Sequence, residues 1–319
     1  MSAPLRMLVV GAGHMGRLHA GKIAALRDAE GSVTLTGVAD LDRARAEAAA
    51  REFGGSATTD FRTLLGAADA AIVAVPTVAH FEVVDAVLRA GLDVLVEKPI
   101  AASLDEAGAL LARAREGARV LQVGHLEWFN APLRALRTSI RRPRFVEVHR
   151  MGPFPDRATD VDIVRDLMIH DIDIVQRLLG EEPEAVEGIG VPVLSHQVDI
   201  ANARLRFPSG CVANFTASRV SPTPLRKIRF FQADGYFSID FLAQSAVILR
   251  RHVEGDGPPR IDVEPMHFDP ADALDAQLRE FLDAVRTRRI DDPGAEAAVR
   301  ALRTALRVMA ALPPLEELQ

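Results

Sequence analysis

Cysteine is nearly missing from this 319-residue chain: Cys211 stands alone. One thiol cannot form an intramolecular disulfide, and with no His/Cys cluster around it Cys211 reads as a small buried core residue in a protein of the reducing cytoplasm. Tryptophan and tyrosine occur once each, and lysine three times (Lys22, Lys98, Lys227), which leaves 35 arginines among the 38 basic residues. Long apolar runs are lacking too. The stretch from Ala67 to Ala79 is interrupted by Asp69 and Pro76, well short of the roughly 20 residues a membrane helix needs. No charged segment followed by an apolar one precedes the first structured run, so neither a secretory leader nor a membrane span is expected. A basic excess is also absent. With 38 basic against 44 acidic side chains the net charge is −6, which argues against nucleic acid as a partner. What remains is ordinary for a globular chain: 48% hydrophobic and 26% charged residues, with no case for disorder, collagen or coiled coil and a length that suits two domains.

From Met7 to about Val123, short apolar runs (Met7 to Val10, Val33 to Ala39, Ala70 to Val75, Val94 to Val96, Arg119 to Val123) alternate with Ala/Leu/Arg-rich helical stretches. Continuous apolar runs imply strands buried on both faces, and helices between them imply right-handed crossovers, so residues 1–123 are expected to form an α/β domain with a doubly wound parallel sheet. Residues 124–319 read differently. Ala201 to Phe207 and Cys211 to Ala217 alternate strictly about the turn Pro208-Ser209-Gly210, the pattern of an antiparallel hairpin with one covered face. Further strand-like pieces at Arg144 to His149, Ala185 to Val193, Leu225 to Phe231, Tyr236 to Phe241 and Ala246 to Arg250 extend it to an open, mostly antiparallel sheet of six or so strands. A helix is expected from about Asp160 to Leu179, a solvated loop around Glu254 to Arg260, and two helices over Ala271 to Arg288 and Gly294 to Leu312.

The first strand runs into Gly11-Ala12-Gly13-His14-Met15-Gly16 and then a helix. Glycines so spaced permit a tight turn, the approach of backbone to a pyrophosphate and close helix-to-strand packing, while the free N–H groups of the helix start face the phosphates. Asp40 ends the second strand, placed to accept both adenosine ribose hydroxyls. Its carboxylate would repel a 2′-phosphate, which favours NAD over NADP, with Arg43 and Arg45 just beyond as possible screening charges. The domain therefore reads as a Rossmann dinucleotide-binding unit. Val75-Pro76-Thr77-Val78-Ala79-His80 and Glu97-Lys98-Pro99 stand at the ends of the third and fourth buried strands, the edge where open α/β sheets place ligands. Val75, Pro76, Thr77, His80, Glu97 and Lys98 thus join Gly11, Gly13, His14, Met15, Gly16 and Asp40 as candidate cofactor residues.

Farther on, Asp166 and His170 are i and i+4 on one helix and share a face, with Asp162 and Asp173 extending the polar stripe. Carboxylate and imidazole at successive turns can also ligate a metal, but hydride transfer needs none when a lysine can polarise the hydroxyl, and no metal is expected. Glu97-Lys98-Pro99 beside the glycine turn, followed by an antiparallel domain carrying Asp166-Leu-Met-Ile-His170, resembles the glucose-fructose oxidoreductase and inositol dehydrogenase family, Gfo/Idh/MocA, over essentially the whole chain. That resemblance implies NAD-dependent oxidation of a sugar or polyol hydroxyl, a C-terminal sheet that supports homodimers or homotetramers, and a catalytic group of Lys98, Asp166 and His170. Gln122 to Asn130, Met151 to Arg157 and Asp166 to Asp173 look like the subset acting on UDP-linked N-acetylhexosamines. One departure is Trp128, where that subset usually has arginine before Phe-Asn. The implied substrate residues are Lys98, His125, Glu127, Asn130, Arg157 and His170, with Arg157 a fork of donors for a diphosphate. In the implied chemistry His170 takes the hydroxyl proton, Asp166 orients it and Lys98 stabilises the developing alkoxide. The alternatives are a dehydrogenase of a free sugar or cyclitol, or a silent NAD-binding sensor. Among so many arginines, a lysine between Glu97 and Pro99 stands out, because a compact ammonium fits beside a reacting hydroxyl where a guanidinium is bulkier.

Overall fold

The computed structural model describes residues 3–154, 162–252, 260–289 and 294–314. The chain divides into two compact units, residues 1–126 with 274–299 and residues 127–273 with 300–319.

The first unit alternates strand and helix: β1 (Leu5–Val10), α1 (His14–Glu30), β2 (Val33–Ala39), α2 (Arg43–Phe53), β3 (Ser56–Thr58), β4 (Ala70–Val73), α3 (His80–Arg89), β5 (Asp93–Glu97), α4 (Leu104–Glu116) and β6 (Leu121–Gly124). Its six strands pair in parallel in the order β3-β2-β1-β4-β5-β6. The order reverses between β1 and β4, which opens a crevice beyond the carboxyl ends of those strands. Residues 7–10 of β1 and all of β4 are buried, as two-sided coverage demands. Helix starts are fixed locally: Asp42 accepts from the N–H groups of Ala44 and Arg45, and Ser103 with Glu106 closes a reciprocal capping box on α4.

The second unit holds α5 (Ala131–Leu136), β7 (Phe145–Met151), α6 (Ile169–Leu179), β8 (Ala185–Val191), β9 (Ile200–Arg206), β10 (Val212–Ser218), β11 (Leu225–Gln232), β12 (Gly235–Asp240), β13 (Ser245–His252) and β14 (Arg260–His267). They form a sheet in the order β14-β13-β12-β11-β7-β10-β9-β8, antiparallel except where β7 meets β10. One face is core: Val146, Val148, Phe215, Ile228, Phe230, Phe237 and Ile248 are almost wholly buried. Cys211 is buried as expected, and burial pushes its thiol up to about 11.

Three expectations need correction. Among the described residues the sheet has eight strands where six or so were expected; the one with no strand-like segment in the sequence is β14, which carries Asp262, Glu264 and Pro265 on an edge and so lacks an apolar run. The three-residue β3 was also missed. The helix expected from Asp160 is a π-helical turn over Val164–Met168 leading into α6, a local widening that an i, i+4 count cannot register. Asp160 itself and the loop at 253–259 lie outside the described residues.

Two helices close the chain: α7 (Ala273–Thr287) and α8 (Gly294–Ala311). From α7, Leu278, Phe281, Leu282 and Val285 join Met7, Val9, Ile23, Ile72 and Leu95 in the core of the first unit. In the second unit, Thr304 of α8 accepts from the Gln176 side-chain amide of α6 at 2.9 Å. Phe281→Ala should remove about 3–5 kcal/mol of stability, read as a lower midpoint in urea denaturation; an unchanged midpoint would show that α7 is dispensable to that core.

Candidate functional site

A cleft of about 800 Å³ lies at the carboxyl edge of the parallel sheet, with Gly11, Gly13, His14, Met15, Asp40, Val75, Pro76, Glu97 and Lys98 in its wall. Gly16, Thr77 and His80, also expected there, are not part of that wall. The cleft exists because two backbones nearly touch. Gly11 has φ +99°, and a Cβ there would sit 2.3 Å from the carbonyl O of Ala74; a Cβ on Gly16 would sit 1.7 Å from the carbonyl O of Gly11. No side chain fits either place. Gly13 faces open space, with nothing within 4 Å of a Cβ. It caps α1 without a side-chain bond, so the first N–H groups of the helix remain available to an anion.

Asp40 borders the same opening. Its Oδ2 accepts from Ala12 N–H at 2.7 Å and its Oδ1 from Asp42 N–H at 2.8 Å, which fixes the carboxylate beside the glycine turn. Leu41, 94% exposed, offers an apolar surface next to it. Of the two arginines considered, Arg45 lines the cleft and lies 3.5 Å from Asp42, whereas Arg43 lies 3.9 Å from Glu47 on α2. Phe61, Arg62 and Glu82 complete this end, with Arg62 bonded to Glu82 at 2.8 Å. Sequence reasoning missed all three: Phe61 and Arg62 follow the strand β3 that it also missed, and Glu82 stands in the first turn of α3, two residues past the expected segment Val75 to His80. The glycine cradle, the uncapped helix start and the fixed carboxylate suit a dinucleotide.

At the other end stand Glu97 and Lys98. His19 of α1, fully buried, lies with Nε2 2.8 Å from Glu97 Oε1. The ring of His80, 1% exposed, spans two carbonyls: Nδ1 is 2.8 Å from that of Pro99 and Nε2 2.9 Å from that of Val75. Burial lowers the His80 pKa from its usual value, against the pull of those carbonyls and of Glu97. His80 therefore works behind the wall, tying the ends of β4 and β5 together. His125, an expected substrate residue, is 2% exposed in this unit.

The remaining candidates belong to the second unit. Asp166 lies in the π-helical turn and His170 in the first turn of α6. The ends of the polar stripe are no solvent face, since Asp162 and Asp173 are 4% and 1% exposed, and Asp171 beside it is 2% exposed. Asp162 caps the turn by accepting from Val164 and Arg165 N–H, and Asp173 pairs with Arg177 at 2.8 Å. Arg150 of β7 forks onto Asp171 at 2.7 and 2.8 Å and reaches Glu127 at 2.7 Å. Burial opposes the Arg150 charge, but the two carboxylates outweigh it and hold its pKa above the usual value. Glu127, expected against substrate, is thus engaged in a buried ion network. Asn130 precedes α5 and accepts from Gln244 at 3.4 Å. Trp128, 8% exposed, has the guanidinium groups of Arg137 and Arg177 over its ring, 5.0 and 5.1 Å from the ring centre, so two cations adjoin the position where one was expected. Arg157 lies outside the described residues.

Comparison with known proteins agrees with this architecture. The family described as "Oxidoreductase family, NAD-binding Rossmann fold" matches residues 5–125, and "GFO/IDH/MocA C-terminal domain" matches residues 132–238. UDP-N-acetylglucosamine 3-dehydrogenase of Acidithiobacillus ferrooxidans is 36% identical over 310 residues, covering 97% of each chain. Its solved structure superposes with a TM-score of 0.91 over 98% of both chains. Inositol 2-dehydrogenase of Rhizobium meliloti is 31% identical over 67% of this chain and 69% of its own. The fold alone is shared with a 3-ketoreductase from Actinomadura kijaniata, solved with TDP-benzene and NADP, at 22% identity and a TM-score of 0.79 over 97% of this chain and 98% of that one. With both of its domains matched and a relative aligned along nearly its whole length, the chain belongs to the GFO/IDH/MocA family of oxidoreductases.

Proposed function

We propose that this oxidoreductase is a cytoplasmic, NAD-dependent dehydrogenase that oxidises the C3 hydroxyl of a UDP-linked N-acetylhexosamine to a 3-keto sugar nucleotide. The observation that carries the reading is the likeness to a UDP-N-acetylglucosamine 3-dehydrogenase along 97% of both chains, seen again in the superposed fold. NAD is preferred to NADP because the Asp40 carboxylate, already fixed by two backbone N–H groups, would repel a 2′-phosphate.

When bound, the dinucleotide supplies the acceptor for the hydride. The chain's own groups do the rest. Backbone N–H groups at the start of α1 would hold the pyrophosphate, and Asp40 would accept from the adenosine ribose. His170 takes the hydroxyl proton, with Asp166 orienting it. Lys98 donates a hydrogen bond to the same oxygen as it gains negative charge. Arg157 grips the diphosphate of the substrate. The experiment is NADH formation with UDP-N-acetylglucosamine against free N-acetylglucosamine and myo-inositol. Reduction with the first alone is expected; reduction with only an unactivated substrate would overturn the substrate assignment. Lys98→Met should lose about 10²-fold or more in kcat while calorimetry shows NAD affinity little changed; a fully active variant would remove Lys98 from the chemistry.

The uncovered face of the large sheet supports self-association. Phe145, Phe231, Tyr236, Leu249 and Val263 stand in register across five neighbouring strands, and the rings of Phe231 and its two neighbours lie 5.4 and 4.9 Å apart. Such a row is a candidate contact for a second copy of this chain. Light scattering should give a dimer or tetramer for the native chain and a smaller species for Phe231→Asp; a monomeric native chain would contradict it.

A further inference from the structure

We infer that His19 is a positioning residue for Lys98, acting through the carboxylate of Glu97. His19 is fully buried on α1, three residues past the last glycine of the turn, and Nδ1 has no hydrogen-bond partner among the described residues. The arrangement that strands no buried N–H places the proton on Nε2, which donates to Glu97 Oε1 at 2.8 Å. Among the described residues that is the ring's one polar contact. A leucine would fill the site without burying polar atoms, so the imidazole is explained by the carboxylate it holds.

The carboxylate is held from the other side by the absence of a side chain. A Cβ on Gly124 would come within 3.0 Å of Glu97 Oε2 and 3.2 Å of its carboxyl carbon. Glu97 is thereby clamped between α1 and the end of β6. This matters for Lys98 because the β5–β6 ladder ends with the pair Glu97 and Gly124. Beyond it the backbone has lost its strand register, and the segment is secured by its flanks. On one flank His80 reaches the Pro99 carbonyl at 2.8 Å; on the other His19 reaches Glu97. Glu97 and Lys98 both line the cleft, so loosening the first shifts the second where a displacement of about 1 Å costs heavily in rate.

Because the chain has three lysines, reductive ¹³C-methylation of the full-length protein gives a simple NMR spectrum in which Lys98 is read against Lys22 and Lys227. The variants are His19→Leu, His19→Gln, which keeps an N–H donor, and Glu97→Gln. In His19→Leu and Glu97→Gln the Lys98 methyl signal should move and narrow toward that of a freely rotating lysine, with the other two unmoved. His19→Gln should keep the native position. An unmoved Lys98 signal in His19→Leu, or equal displacement of all three signals, overturns the inference. A kinetic arm rests on the oxidation proposed above: kcat should fall about tenfold in His19→Leu with the KM for NAD within about threefold, and His19→Gln should recover most of it. A native enzyme that turns over no sugar nucleotide would defeat the function, while the spectra would still decide the role of His19.

Discussion

Everything at the cleft depends on backbone meeting backbone where β1 turns into α1. A methyl group on Gly16 would lie 1.7 Å from the carbonyl oxygen of Gly11, and one on Gly11 would lie 2.3 Å from that of Ala74. With glycine at both places the helix starts directly above the sheet edge and its uncapped N–H groups point at the opening. The same closeness brings Ala12 N–H within 2.7 Å of Asp40. It also seats α1 so that His19, on its buried side, meets Glu97 at the end of β5. Removing that approach would disturb the helix start, the Asp40 carboxylate and the Lys98 turn together.

The second unit solves a different problem, placing charged groups where water is scarce. Arg150, Asp171 and Glu127 form a buried network against the first turn of α6, the turn that carries His170. Arg219 does the same for Asp199, which also accepts from the backbone of Val193, Leu194 and Ser195. Those donors hold the Asp199 pKa far below the usual carboxylate range. Buried pairs of this kind add little net stability against apolar replacements, yet each is costly to break on one side. Their contribution is geometric: they leave a helix or loop one way to sit.

The parallel sheet was legible because strands buried on both faces read as apolar runs, and the glycine turn because its spacing reflects backbone contact. Asp40, Glu97 and Lys98 were legible by position at strand ends. Other features leave no such trace. Glu127 resembles any pocket carboxylate until Arg150, 23 residues away, is seen beside it. Phe61 and Arg62 enter the cleft behind a three-residue strand too short for periodicity to detect. Nothing in the amphipathic pattern of α7 says which sheet it covers. His19 was passed over because a histidine inside a helix looks like an ordinary core residue until its partner 78 positions later is known.

The proposed oxidation concerns one carbon of one class of substrate. UDP-N-acetylglucosamine carrying deuterium only at C3 separates it from every neighbouring hydroxyl, because the label follows the transferred hydride. Incubated with this protein and NAD, it should yield deuterated NADH by mass spectrometry, together with a 3-keto sugar nucleotide that has lost the label. Unlabelled NADH formed from that substrate would place the oxidation at another carbon and contradict the assignment.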